Sequence, residues 1–160
     1  MTRAATGELR PDSPSSVQHI RHPDYVASLE SEKHVFLAGN LKQPATYPFI
    51  REDRVEFIAC SYQTGDDGLP HWHANVTEYE LVLEGRLGYV EMETDREVWA
   101  TAGDFLCVPA GTCVKRFVPG PTRTIAIKVP SSPEKHHCDA CQRDCQNRIA
   151  PYSRPERQSP

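Results

Sequence analysis

Two histidines separated by one residue, with an acidic side chain shortly after them, most constrain how this chain can fold. His71 and His73 flank Trp72, and Glu78 follows at the start of an apolar run. Because successive side chains of a strand point to opposite faces, residues i and i+2 look into the same space. A turn at 75–77 returns Glu78 beside the histidines on the neighbouring strand. Two imidazoles and one carboxylate facing one cavity are a ligand set for divalent iron or zinc.

The spacing around these residues resembles the first conserved motif of the cupin superfamily: Gly, five residues, His-x-His, three or four residues, Glu, six residues, Gly. The matching positions are Gly65, His71, His73, Glu78 and Gly85. The second cupin motif runs Gly, five residues, Pro-x-Gly, two residues, His, three residues, Asn. Its first part is matched at Gly103, Pro109 and Gly111. Its His and Asn positions hold Val114 and Val118.

The valine at position 114 is the informative departure from the cupin pattern. Valine cannot bind a metal, so the resemblance implies three ligands instead of four. This set resembles the two-histidine, one-carboxylate triad of non-haem iron enzymes and equally a catalytic zinc site. Two alternatives are open: metal affinity has decayed and the pocket only binds a ligand, or Cys107 or Cys113 replaces the missing histidine. Cysteines in such positions are more often small buried residues.

Turn signals divide the centre of the chain into eight or nine short strands. The run 54–62 alternates and is rich in β-forming residues, and a brief helix is predicted near 24–29. The pattern predicts an all-β fold, a small antiparallel double-sheet jelly-roll (cupin) barrel. We expect a disordered leader at 1–18, the barrel with an N-terminal arm at 19–130, and a Cys/His-rich tail at 131–160.

Strand alternation also predicts which polar side chains face the barrel interior. If Glu78 faces inward, Glu80 and Val82 do so as well. Counting from Val114 places Arg116 on the same face, where a guanidinium can bind a substrate carboxylate or phosphate. The alternative is an Arg116–Glu80 ion pair. Because both side chains are expected to face the interior, Glu80 and Arg116 are the candidate catalytic residues.

A second cluster of metal-binding residue types lies near the end of the chain. Its members are His136, His137, Cys138, Cys141 and Cys145. The cysteines, at i, i+3 and i+7, share one face of a helix. They can hold a structural zinc, with His136 or His137 as a fourth ligand if the chain bends before the helix. The alternatives are a zinc shared across a dimer, a redox thiol cluster, or no role.

Composition narrows the class of partner. A chain of 160 residues suffices for one domain. The net charge of -4 and the lack of a basic stripe argue against a nucleic-acid partner. No apolar run approaches the roughly 18 residues that span a bilayer, and no secretion signal is present at the N-terminus. We predict a cytoplasmic protein with a small-molecule substrate and no membrane partner, and the cupin resemblance implies a homodimer.

Three classes of function follow. The first is a metal-dependent enzyme acting on a small polar metabolite as a non-haem iron dioxygenase-type oxidoreductase. The second is a zinc cupin that catalyses a non-oxidative lyase, isomerase or bond-forming step, such as N–N joining in amino-acid-derived natural-product biosynthesis. The third is a non-catalytic cupin that binds a small molecule. No cupin motif specifies the substrate, and a fold alone does not give a function.

Overall fold

The computed structural model describes residues 7–9, 17–41 and 45–137, which form twelve strands and one α-helix. A short 3-10 helix, His22–Asp24, precedes the α-helix α1, Val26–Glu32. The strands are β1 Gly7–Leu9, β2 His34–Gly39, β3 Pro48–Arg51, β4 Glu56–Tyr62, β5 His71–Trp72, β6 Thr77–Glu84, β7 Arg86–Glu91, β8 Arg96–Thr101, β9 Phe105–Val108, β10 Val114–Phe117, β11 Thr122–Val129 and β12 His136–His137.

The strands form two sheets. The seven-stranded sheet has the order β1-β3-β2-β4-β11-β6-β9, and the five-stranded sheet has the order β12-β5-β10-β7-β8. Neighbouring strands are antiparallel except that β3 runs parallel to both β1 and β2. The predicted all-β double-sheet jelly roll is therefore confirmed.

The apolar core lies between the sheets. Val82 of β6 packs with Leu87 and Tyr89 of the opposite sheet, and all three are buried. A second cluster fills the other end of the interior and contains Ile58, Cys60, Tyr62, Val118 and Ala126. Burying a side chain of this size contributes about 1.5–3 kcal/mol. These contacts fix the distance between the sheets and thus the position of the polar groups between them.

Strand β6 shows which side chains reach the interior. Glu80 and Val82 are buried, whereas Leu83 is 48% exposed on the outer face. Tyr79 also lies on the outer face, where its ring stacks on Phe105 at 5.7 Å. The period of two places Glu78 and Glu80 on one wall of the barrel.

Several short elements differ from the sequence expectation. The segment expected as a leader contains β1, three residues long, at the edge of the larger sheet. Strand β3, only four residues, begins with a proline and carries little alternation. Helical structure extends beyond both ends of the expected 24–29. Helix α1 ends at Glu32, and the next residue, Lys33, has φ of 67°. Such short elements are set by distant partners, which local patterns do not record.

The segment after β11 stays in contact with the barrel as far as His137. Ser131 accepts a hydrogen bond from the amide of Asn40 at 2.8 Å, and β12 pairs with β5. The expected boundary at 130 between barrel and tail stays a prediction. Cys138, Cys141 and Cys145 lie outside the described residues, and so does the predicted tail zinc site. Within the described ranges, no helix is long and apolar enough to cross a bilayer.

Candidate metal centre

Three side chains from two facing sheets meet at one point in the interior. His71 belongs to β5 of the smaller sheet, and His73 follows two positions later. Glu78 is the second residue of β6 in the larger sheet. One ligand atom from each lies within 4.8 Å of the others. The structure thus brings together His71, His73 and Glu78.

The distances between these groups leave space for a cation. Nε2 of His73 lies 3.4 Å from Oε2 of Glu78, and Nε2 of His71 lies 4.0 Å from the same oxygen. The two imidazole rings are 5.5 Å apart at 84° to each other. All three side chains are buried or nearly so, with exposures of 7%, 4% and 14% for His71, His73 and Glu78. Both histidines therefore present the same ring nitrogen to one carboxylate.

The other ring nitrogen of each histidine is held by a backbone carbonyl. Nδ1 of His71 donates to the carbonyl of Leu69 at 3.1 Å, and Nδ1 of His73 donates to the carbonyl of Glu134. This arrangement leaves Nε2 as the lone-pair nitrogen of a neutral imidazole, which is how metal-binding histidines are commonly oriented. Nε2 of His73 is buried without a hydrogen-bond partner in the described part of the chain. The donor set fits a divalent cation.

Burial and mutual contact adjust the charge of the three groups. Burial lowers the pKa of His71, and its contact with the Glu78 carboxylate partly offsets this effect. Burial works against ionisation of Glu78, but the contacts of its carboxylate with the ring nitrogens of His71 and His73 outweigh burial and hold its pKa well below the usual range. Lys128, its partner in β11, adds a further positive charge. A neutral imidazole beside a carboxylate anion is the protonation state that binds a metal.

Val114 lies directly beside the first histidine. It pairs with His71 in the antiparallel contact of β10 with β5 and is buried against Leu87 and Tyr89. The two cysteines considered as substitutes lie on other faces. The Cys107 thiol is exposed opposite Tyr79 on the outer face, and Cys113, next to Val114 in sequence, packs on the outer side with Val90 and Met92. No thiol of the described residues joins the three ligands.

Similarity to known proteins is found among solved structures only. No family model and no curated protein matches the sequence. One similar solved structure is a conserved protein with a double-stranded β-helix domain from Klebsiella pneumoniae, with TM-score 0.49, 15% identity, and coverage of 53% of this chain and 70% of that one. A cupin-2 domain protein from Shewanella frigidimarina has TM-score 0.43 and 23% identity, with coverage of 49% of this chain and 72% of that one. The polyketide cyclase RemF from Streptomyces resistomycificus gives TM-score 0.47 and 23% identity over 54% of this chain and 61%, less than two thirds, of that one.

The glycines of both motifs occupy the turns that the cupin pattern requires. Gly65, Gly85, Gly103 and Gly111 all have φ between +76° and +93°, a conformation that other residues rarely adopt. These glycines lie at turns of a double-sheet jelly roll, and the His-x-His segment lies inside it. The fold is the double-sheet jelly roll that the cupin resemblance implies. The solved structures named above have TM-scores below 0.5 and identities below 25%, so they assign no function to this chain.

Glu80 is a carboxylate of the barrel interior whose two oxygens both have hydrogen-bond partners. Its two oxygens accept hydrogen bonds from the Tyr89 hydroxyl at 2.5 Å and the Thr124 hydroxyl at 2.6 Å. Burial raises its pKa, and these two hydrogen bonds and the charge of Arg116 work in the opposite direction. Sequence reasoning placed Glu80 on this face but missed Tyr89 and Thr124, because Tyr89 comes from the facing sheet and Thr124 from the neighbouring strand β11. The catalytic role of Glu80 stays a prediction.

Removing the Tyr89 hydroxyl tests how far this carboxylate depends on its partners. In Tyr89→Phe, Glu80 loses one of its two hydrogen bonds inside the barrel. A hydrogen bond to a charged group contributes about 1.5–3 kcal/mol, and we expect the free energy of unfolding in urea to fall by that amount. Tyr79→Phe on the outer face is the control and should change it by less than about 0.5 kcal/mol. Equal effects would show that the Glu80–Tyr89 contact adds nothing.

Arg116 reaches the interior as expected but contacts a tyrosine. Its guanidinium lies 4.1 Å from the ring centre of Tyr62, and Nη1 donates to the Tyr62 hydroxyl at 2.8 Å. Burial, with a further contribution from Arg116, lowers the pKa of His34 to about 4, so the neutral ring can accept a hydrogen bond from the same hydroxyl at 3.3 Å. Nε of Arg116 is buried and has no partner among the described residues. The arginine is thus held rigidly with one donor unused.

Proposed function

We propose that this cupin is a metal-dependent enzyme acting on a small polar metabolite, of the non-haem iron dioxygenase type. The observation that carries the proposal is the pair of buried imidazoles whose Nδ1 atoms are fixed by backbone carbonyls, so that both Nε2 atoms face Glu78. A neutral pair of imidazoles with one carboxylate is the protein ligand set of non-haem iron oxygenases.

In this proposal His71, His73 and Glu78 hold the metal. Iron bound there would supply redox chemistry with dioxygen and leave coordination positions open for dioxygen and substrate. The backbone carbonyls of Leu69 and Glu134 keep the imidazoles in one tautomer and orientation. The buried walls around the three ligands exclude bulk water and so strengthen the interaction of the carboxylate with a cation.

The charges on the interior walls favour an anionic substrate. Arg116 offers an unused Nε donor, and its stacking on Tyr62 fixes the guanidinium before any ligand arrives. Lys128 adds a second inward cation whose Nζ lies 3.2 Å from Glu56. Arg116 is two residues along β10 from Val114, which pairs with His71, or about 7 Å along the strand. A small carboxylate or phosphate held at Arg116 would extend toward the metal ligands.

Zinc with the same three ligands is the second candidate. Two histidines and one glutamate with an open position also make up a catalytic zinc site. Glu80, on the same wall as Glu78, and Tyr89 of the facing sheet form a buried acid–hydroxyl pair, and such a pair can exchange protons with a bound substrate. The reaction would then be a non-oxidative lyase, isomerase or bond-forming step, with the metal as Lewis acid.

Metal content and oxygen uptake test the proposal together. The wild type and His71→Ala are both produced without added metal and analysed by mass spectrometry for iron and zinc. The metal that is present in the wild type but absent from His71→Ala is the metal of the barrel site. Iron at that site, with oxygen consumption on small carboxylic or amino-acid substrates, is the expected result. Zinc at that site, without oxygen uptake, selects the second candidate. Equal metal content in the two proteins contradicts both and leaves a non-catalytic cupin that binds small molecules.

A homodimer is proposed as the assembled form. The outer face of the larger sheet exposes apolar side chains, among them Phe57, Leu83 and Phe105. Exposed apolar surface of this kind is typical of protein contacts. Sedimentation equilibrium at micromolar concentration measures the mass directly.

A further inference from the structure

Three neighbouring strands align one residue each beside the first metal ligand. In the smaller sheet β5 lies between β10 and β12. His71 pairs with Val114 on one side and with His137 on the other. Residues directly opposite each other in adjacent strands project from the same face of a sheet. Val114, His71 and His137 therefore form a row on the interior face, and Val114 occupies the position where the second cupin motif has its histidine.

The rings of β12 confirm this alternation. The His137 ring lies 6.3 Å from the His71 ring. The preceding residue, His136, turns to the opposite face, where its ring stacks on Trp72 at 4.5 Å and Nε2 lies 2.7 Å from a carboxylate oxygen of Glu134. Nδ1 of His137 is buried with no hydrogen-bond partner in the described residues. His136 is thus engaged on the outer face of the sheet, whereas His137 places a nitrogen without a hydrogen-bond partner on the interior face.

The segment that carries His137 is already part of the site. The carbonyl of Glu134 accepts the hydrogen bond from His73 Nδ1, and the side chain of Ser131 holds the amide of Asn40. The chain is therefore held against the barrel at Ser131 and at Glu134, shortly before β12 begins. The position of His137 follows from these contacts.

The distance between the rings is compatible with shared coordination. With a metal–nitrogen distance of about 2.1 Å, the centres of two imidazoles on one metal lie roughly 4.5–6.4 Å apart, from adjacent to opposite positions. The His71–His73 distance of 5.5 Å and the His71–His137 distance of 6.3 Å both fall within this span. The ligand atoms of His71, His73 and Glu78 form a group within 4.8 Å that does not include His137, so coordination by His137 would require a rotation of its side chain.

We propose that His137, from the strand that follows the barrel, is the fourth protein ligand of the metal and replaces the histidine missing at Val114. The inference rests on the proposed metal site and extends it to three imidazoles and one carboxylate. It also separates the two histidines of the tail: His137 serves the barrel metal, and His136 alone is left for a zinc held by Cys138, Cys141 and Cys145.

Titration with Mn²⁺, followed by electron paramagnetic resonance of the unbound ion, measures the barrel site in the full chain. Thiolates select softer metals, so the tail cysteines contribute little to Mn²⁺ binding. Loss of a supporting partner alone weakens metal binding about 10- to 100-fold, and we expect His137→Gln to raise the Mn²⁺ dissociation constant by at least the lower value. The matched control, His136→Gln on the same strand and the opposite face, should stay within about twofold.

Rescue distinguishes a ligand from a structural residue. In His137→Gly, free imidazole can occupy the position of the lost ring, and we expect millimolar imidazole to restore Mn²⁺ affinity; a variant whose β12 had detached would not respond. Equal dissociation constants for wild type, His137→Gln and His136→Gln, or failure of imidazole to restore affinity, overturn the assignment and leave the three-ligand site intact. A wild-type protein that binds no Mn²⁺ and no other divalent metal removes the proposed function as well.

Discussion

His73→Ala is expected to bind divalent metal more than about 100-fold more weakly than the wild type and to lose metal-dependent turnover. Loss of a partner that only orients a ligand already costs about 10- to 100-fold, and His73 is itself a ligand in the proposed site. It is the most buried of the three, and its Nε2 has no other hydrogen-bond partner among the described residues. Competition with a chromophoric chelator measures the metal dissociation constant.

His34→Ala is the control for this experiment. His34 is also an interior histidine, but it contacts the Tyr62 hydroxyl and lies away from Glu78. Metal affinity should stay within a few-fold of the wild type in this variant, because none of the three ligands is touched. A similar loss in both variants would mean that emptying any interior position disturbs the barrel, and the assignment of His73 would fail. Circular dichroism of each variant confirms that the sheet content is retained.

The ligand trio could be predicted from sequence because its geometry is local. His71 and His73 share a face through the strand period, and a short turn brings Glu78 back on β6. Only the immediate chain is needed for this step. The same period predicted the inward direction of Glu80 and Arg116. It could not name their partners, since Tyr89, Thr124 and Tyr62 come from strands whose register depends on the whole sheet.

The contribution of residues 131–137 could not be predicted in this way. The carbonyl of Glu134 meets His73 across a separation of 61 residues, and any residue type can supply a carbonyl. Strand β12 is two residues long, too short for a periodic pattern, and the adjacent cysteines drew His136 and His137 into the expectation of a separate zinc site. Pairing with β5 sends the two rings to opposite faces. The position of a short edge strand depends on the surface that it contacts, and here this surface includes the candidate metal ligands.

The parallel strand β3 shows the same limit in the fold. Its four residues pair with β1 on one side and β2 on the other. Phe49 is buried, and Arg51 is exposed. Parallel strands cannot be joined by a tight hairpin turn, so local turn signals do not reveal this pairing. The antiparallel hairpins were predicted because their turns, such as the one at Gly85, are marked in the sequence.

Gly85→Ala is expected to destabilise the barrel by about 2–5 kcal/mol. Gly85 joins β6 to β7 with φ of +76°, and an L-residue in this conformation costs about 1–2 kcal/mol. A Cβ atom there would stand 2.3 Å from the carbonyl oxygen of Pro121 and 2.8 Å from Oγ1 of Thr122. Relieving such a clash against backbone costs about 1–3 kcal/mol more. The free energy of unfolding in urea, measured by tryptophan fluorescence, gives the total.

Gly103→Ala separates the two causes. Gly103 has a similar φ of +93°, but a Cβ atom at that position meets nothing within 4 Å. Its substitution should therefore cost only the conformational part, about 1–2 kcal/mol. The difference between the two variants measures the contact of the β6–β7 turn with Pro121 and Thr122, which ties this turn to the start of β11. Because β6 carries Glu78 and β11 carries Lys128, loosening this contact should also weaken metal binding in Gly85→Ala but not in Gly103→Ala. Equal losses of stability in the two variants would show that φ alone, and no packing at the turn, fixes glycine at position 85.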